Sequence, residues 1–167
     1  YKNTFAYPRA FVVHAITPVQ DVDQAIRAMA QSAFNPATQA VVEGEIPTHW
    51  NQSLTLNQAL LPPSEAYISE RTSNTLHITT TLDTPGLLVV SESYAPGWLA
   101  YVDGQRAAIM PTDGFLRGVY LDADTHEVQF VYAPRSFTIG AAISLTTLST
   151  IIISGILILI AKQRKQK

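Results

Sequence analysis

The segment GLLVVSESYAPGWLAYVDG, running from Gly86 to Gly104, carries the clearest structural signals in the chain. Leu87-Leu-Val-Val-Ser91 is a short apolar run rich in branched side chains, which reads as a strand buried on both faces. Tyr94-Ala-Pro-Gly-Trp98 follows as a turn bracketed by two aromatic residues. Leu99 to Val102 and Gln105 to Ile109 then flank Asp103-Gly104, a dipeptide that supplies the positive φ angles of a two-residue hairpin. The pattern continues in both directions. Val119 to Leu121 and Glu127 to Tyr132 read as strands downstream. Upstream, Leu76, Ile78, Thr80 and Leu82 alternate with His77, Thr79 and Thr81 before a Thr84-Pro85-Gly86 turn. Ala66 to Ser73, Gln39 to Glu43 and Arg9 to His14 add further strands, and Gly44 to Pro63 reads as a polar, proline-punctuated loop.

A single soluble helix is expected between the first two strands. Thr17 is positioned to cap it, Pro18 suits its first turn, and Gln20 completes a capping box. Val19, Val22, Ile26, Met29 and Ala33 then recur at helical spacing until Asn35-Pro36 ends the pattern. One helix and a succession of strands predict a mainly β fold: an antiparallel β-sandwich with one α-helix in its N-terminal half.

The end of the chain is different in kind. No residue from Ser136 to Ala161 carries a formal charge, and a helix of about 25 such residues is ~37 Å long, enough to cross a ~30 Å hydrocarbon layer with some tilt. The expected division is therefore a β domain over 1–135, a transmembrane helix over 136–161 and a basic tail over 162–167. Up to Arg135, seven Lys and Arg stand against thirteen Asp and Glu, a balance of −6, whereas Lys162, Arg164, Lys165 and Lys167 make the tail +4. Positive residues flanking a span resist translocation, so the tail is expected in the cytoplasm and the β domain outside. So acidic a domain is a poor nucleic-acid binder, because phosphate affinity needs clustered basic residues. The chain has no cysteine, which excludes disulfides and thiolate chemistry. Gly140, Ser144, Thr147, Ser154 and Gly155 fall near one face of the apolar helix. Small residues in a stripe favour packing against other membrane helices of the same protein. Tyr1 and the lack of a leader-like segment read as the start of a piece of a longer polypeptide.

Candidate chemistry is sparse. His14, His49, His77 and His126 are scattered without metal-ligand spacing, so no metal and no cofactor are expected. Asn51-Gln52-Ser53 matches the glycosylation sequon. Glu92 and Asp103, each at a strand end near Trp98, are the acids available for a paired-carboxylate hydrolase. Tyr94 and Trp98 either stack on a sugar or close the end of the core, and aromatic residues at such turns more often pack.

Tyr7-Pro-Arg-Ala-Phe-Val-Val13, Phe34-Asn-Pro36, Leu88-Val-Val-Ser-Glu-Ser-Tyr-Ala-Pro-Gly-Trp98, Val102-Asp-Gly104, Arg117-Gly118, His126-Glu-Val-Gln-Phe-Val-Tyr-Ala-Pro134 and Ser136-Phe137 occur in order. Together they resemble the C-terminal region of the YfhO-like bacterial membrane proteins, a family regarded as polytopic glycosyltransferases of the GT-C type. Tyr7-Pro8-Arg9 departs slightly from the Leu-Pro-Arg common in that family. The resemblance implies the outer β domain and last span of an enzyme that moves a sugar from a polyprenyl-phosphate carrier to an extracytoplasmic glycan or polymer. It assigns no catalytic residue to this chain. Tyr94, Trp98, Asp103 and Arg117 remain as candidates for contacting a glycan, a lipid-linked sugar or the membrane bundle. The reading from another class is a surface binding or adhesion module on a single anchor, without enzymatic activity.

Overall fold

A computed structural model describes residues 7–44, 46 and 61–164. His49, the Asn51-Gln52-Ser53 sequon, most of the Gly44–Pro63 stretch, Lys165 and Lys167 lie outside the described residues. The chain divides into two compact units, residues 1–132 and 133–167.

The first unit is mainly β, as the sequence predicts. Its strands are β1 (Ala10–Val13), β2 (Ala15–Val19), β3 (Gln39–Glu43), β4 (Ser64–Arg71), β5 (Thr75–Thr81), β6 (Gly86–Ser93), β7 (Trp98–Val102), β8 (Gln105–Ala107), β9 (Met110–Thr112), β10 (Leu116–Leu121) and β11 (Thr125–Tyr132). They form one curled sheet in the order β2-β3-β9-β10-β6-β1-β4-β5-β11-β7-β8. The pairings are antiparallel except β2 with β3, which is parallel.

Strand β4 pairs with β1 on one side and β5 on the other, joining two halves of the sheet. A first core lies between these halves. Val12, Leu88, Val90, Val119 and Leu121 from one half pack with Leu76, Ile78, Val128 and Phe130 from the other. A second core lies on the opposite face of β1 and β6, where Phe11, Val13, Leu87 and Val89 meet Ala40 and Val42 of β3. Strand β6 is thus buried on both faces, as its unbroken apolar run predicts. Gly86 begins it where the backbones of β1 and β6 approach closely; an added Cβ would collide with Val12 Cγ1.

Both Asp-Gly pairs make turns. Asp103 and Gly104 adopt φ 51° and 78°, joining β7 to β8, and Asp113 and Gly114 adopt φ 50° and 77° between β9 and β10. Positive φ at consecutive positions matches the right-handed twist of the flanking strands.

The helix is shorter and later than expected. Ala15–Val19, including the anticipated cap Thr17 and first-turn Pro18, is the edge strand β2, and the helix is α1 (Val22–Met29). Pro18, which lacks an N–H, is tolerated at that sheet edge. The cap is Asp21, whose carboxylate accepts from Gln24 N at 2.9 Å, while Gln24 Oε1 accepts from Gln20 N at 3.2 Å. The capping signal is real but displaced by four residues. Ala25 is the buried residue of α1; Val22 and Ile26, expected to face the core, are 43% and 54% exposed.

The second unit holds α2 (Arg135–Arg164), which by length and composition can cross a membrane. Thr146, Thr147, Ser149 and Thr150 donate to the carbonyls of Ala142, Ile143, Leu145 and Thr146, each one turn back. Polar groups satisfied within the helix are what a hydrocarbon medium requires. Lys162 and Arg164 occupy its last turn, where cations complement the helix dipole.

Candidate functional site

At one end of the first core, the alternation of β10 places Arg117 on the same face as Val119 and Leu121, and its residue is only 2% exposed. The guanidinium lies over the Trp98 ring at 3.9 Å from its centroid and 5.4 Å from that of Phe130. Trp98 in turn meets Tyr132, with ring centroids 5.2 Å apart. Arg117 therefore sits in an aromatic box, and Nη2 donates to Glu92 Oε2. Burial lowers the Arg117 pKa below the ordinary arginine range, with the Glu92 charge working the other way.

Glu92 reaches this position through an irregularity. Leu116 pairs with Ser93 but Arg117 pairs with Val90, so Ser91 and Glu92 are extra residues on β6. Such bulges re-aim side chains. Two more arginines approach the same carboxylate: Arg71 Nε donates to Oε1 at 3.1 Å, and Arg9 Nη1 stands 3.6 Å from Oε1. Arg71 ends β4 just after a second bulge, between Ile68 and Glu70. These strands are consecutive in the sheet, β10-β6-β1-β4, which brings four distant residues to one place.

The other end of β7 carries a separate arrangement. Asp103 Oδ1 accepts from Glu127 N at 2.8 Å, and Oδ2 is 2.7 Å from His126 Nδ1. His126 Nε2 is 3.1 Å from the Asp122 carbonyl oxygen. A carboxylate and a carbonyl only accept, so both ring nitrogens donate and the imidazolium is the form that satisfies both bonds. Burial opposes that charge, but the bonds to Asp103 and Asp122 and the charges of Asp103 and Asp124 outweigh it and raise the His126 pKa. The hydrogen bond from His126, then that from Glu127 N, holds Asp103 below its ordinary 3.8. A cleft of about 580 Å³ opens beside this pair, between Gln105, Arg106, Tyr120 and Asp122.

The structure brings Arg117 and Trp98 together and leaves Asp103 apart. Five residues of extended strand separate Trp98 from Asp103, roughly 16 Å. Tyr94 is 46% exposed, and its backbone N–H donates to the Phe115 carbonyl at 2.7 Å. Glu92 faces three guanidinium groups, and Asp103 is held deprotonated by His126. Glu92 and Asp103 belong to separate ion pairs at opposite ends of β7, so these two acids do not face each other as the paired carboxylates of a glycoside hydrolase would. Trp98 is half-buried, packed on the first core, and carries Arg117.

The histidines serve separate bonds. His14 is buried, with Nδ1 3.0 Å from the Pro85 carbonyl and Nε2 2.9 Å from Ser64 Oγ. His77 Nε2 lies 3.3 Å from Gln129 Nε2. Among the described residues no group of three or more His, Asp or Glu is placed to hold a metal.

Asp113 is a third acid, invisible to the motif reading. Its Oδ1 accepts from Val41 N at 2.8 Å and its own N–H donates to the Val41 carbonyl at 2.7 Å, fastening the β9–β10 turn to β3. Burial pushes its pKa up to about 6, against the effect of the Val41 N–H. A carboxyl raised in the folded state stabilises fully below its unfolded value of 3.8, and that stability is lost as pH rises through about 6. His126, raised above 6.5, likewise contributes below 6.5 and loses that contribution at higher pH. Asp103, lowered, contributes above 3.8 and loses it as pH falls. The β unit is therefore expected to melt at a higher temperature near pH 5 than at pH 8, with Asp113 accounting for on the order of 1 kcal/mol of that difference. Thermal melts of wild type and Asp113→Asn check this: the variant should flatten the decline between pH 4 and pH 7.

A family model described as bacterial membrane protein YfhO matches residues 50–144, more than half of the chain. No curated protein and no solved structure matches it.

Proposed function

Because the chain belongs to the YfhO family of bacterial membrane proteins, we propose that it is the C-terminal, non-catalytic portion of a polytopic membrane glycosyltransferase. In this reading α2 is a membrane span, the β unit stands on the extracytoplasmic face, and the basic tail lies in the cytoplasm. The enzyme transfers a sugar from a polyprenyl-phosphate carrier to an outer glycan or polymer, and the β unit binds the acceptor or supports the bundle. The observation that carries the reading is α2 itself: a 30-residue apolar helix with four mid-helix hydroxyls satisfied one turn back and cations in its last turn, in a chain of a membrane-protein family. Positive flanking residues favour the cytoplasmic side.

The engagement of Glu92 and Asp103 in ion pairs supports placing the chemistry elsewhere in the protein. The test is transfer of radiolabelled sugar from a polyprenyl-phosphate donor by the whole membrane protein reconstituted in vesicles. The expected result is donor consumption by the whole protein and neither transfer nor glycoside hydrolysis by the present chain alone. Unconsumed donor, with glycan bound by the β unit, would instead make it a surface binding module.

A further inference from the structure

Arg9, Arg27, Arg71, Arg106 and Arg117 are the arginines of the described β unit, and three of them converge on Glu92. One guanidinium suffices to neutralise a carboxylate; three leave the cluster at a formal +2, in a region whose balance is −6. A local excess of positive charge draws anions to it. The arginines are not equivalent. Arg117 holds Glu92 from the buried side, with Nε and Nη1 lacking a hydrogen-bond partner among the described residues. Buried N–H groups without acceptors cost free energy. The Arg9 and Arg71 side chains are 49% and 52% exposed, and Arg9 is too far from Glu92 for a hydrogen bond. Their forked donors remain open to solvent at the rim of the same carboxylate.

We propose that Arg9 and Arg71, organised around the Glu92 carboxylate that Arg117 anchors from the core, form a binding site for a phosphate ester. Guanidinium forks match phosphate oxygens bidentately, and residual double positive charge suits a phosphate monoester or diester. Glu92 acts as the template: anchored from the core side by Arg117, it holds Arg9 and Arg71 within reach of one ligand, and the bulge on β6 places it there. The Trp98–Tyr132 ring pair beside Arg117 offers an apolar flank to whatever the phosphate is attached to. The site goes beyond the transferase reading and does not depend on it.

The test uses the full chain in maltoside micelles, which carry no phosphate. Trp50 and Trp98 are its two tryptophans, so Trp50→Phe leaves the ring under Arg117 as the reporter. Fluorescence is titrated with glycerol 3-phosphate in one arm and short-chain phosphatidylglycerol in the other, against sodium chloride at matched ionic strength. A saturable change is expected in at least one arm. Saturation by glycerol 3-phosphate identifies a soluble phosphoester as sufficient, and saturation by the lipid alone identifies a headgroup. Arg9→Gln with Arg71→Gln should weaken binding at least about tenfold while leaving the melting temperature near wild type, because both side chains are half exposed. Arg27→Gln, on α1, should bind as wild type. No saturable change in either arm, or equal binding by the double variant, would overturn the proposal.

Discussion

Replacing Glu92 by alanine is expected to lower the stability of the β unit by about 3–5 kcal/mol, a larger loss than any surface ion pair could produce. The reason is what remains behind. Arg117 is 2% exposed and, among the described residues, its guanidinium donates only to Glu92. Without that carboxylate a full charge is stranded between Trp98 and Phe130. Removing Arg117 is expected to cost less, because Glu92 keeps Arg71 and Arg9 as partners. The double variant Glu92→Ala/Arg117→Met should therefore recover much of the loss, since an apolar side chain of similar length fills the aromatic box without a charge. Urea unfolding of the two singles and the double measures the coupling. Additive losses would show that the ion pair is not what organises this end of the core.

Phe130→Ala is expected to destabilise by about 3–5 kcal/mol as well, through a different mechanism. Phe130 is the largest fully buried side chain among the described residues. Strand β11 lies between β5 and β7, so truncation opens a cavity where the two halves of the sheet meet and neither half can readily collapse into it. Its ring also lies beneath Arg117. Phe130→Leu, which preserves most of the volume, should lose considerably less. If alanine and leucine behaved alike, loss of the aromatic contact with Arg117 would outweigh the cavity.

Much of this architecture is readable in the sequence, because its signals are local. The two-sided burial of β6 follows from Leu87-Leu-Val-Val90, and the β7–β8 hairpin from Asp103-Gly104. Asp113-Gly114 carries the same turn chemistry, but the short strand before it is interrupted by Pro111 and shows no periodicity. The displaced helix has a comparable cause. Thr17-x-x-Gln20 and Asp21-x-x-Gln24 are both plausible caps, and what decides between them is β3, a distant partner that claims Ala15–Val19.

Arg117 could have been recognised as buried from its parity with Val119 and Leu121. Its company could not. Glu92, Arg71 and Arg9 meet it only because β10, β6, β1 and β4 are neighbours in the sheet and because two bulges redirect the chain, and neither fact is encoded in any short motif. The same holds for Asp113, whose carboxylate finds Val41 across 72 positions of sequence.

The account rests most heavily on α2 crossing a bilayer with the β unit outside. The chain has no cysteine, so single reporters can be introduced without background: Ser73→Cys in the exposed β4–β5 turn and Gln163→Cys in the last turn of α2. Intact cells are treated with a membrane-impermeant maleimide, before and after permeabilisation. The account predicts that Ser73→Cys is labelled in intact cells and that Gln163→Cys is labelled only once the membrane is opened. Labelling of both in intact cells, or of Gln163→Cys alone, would contradict it.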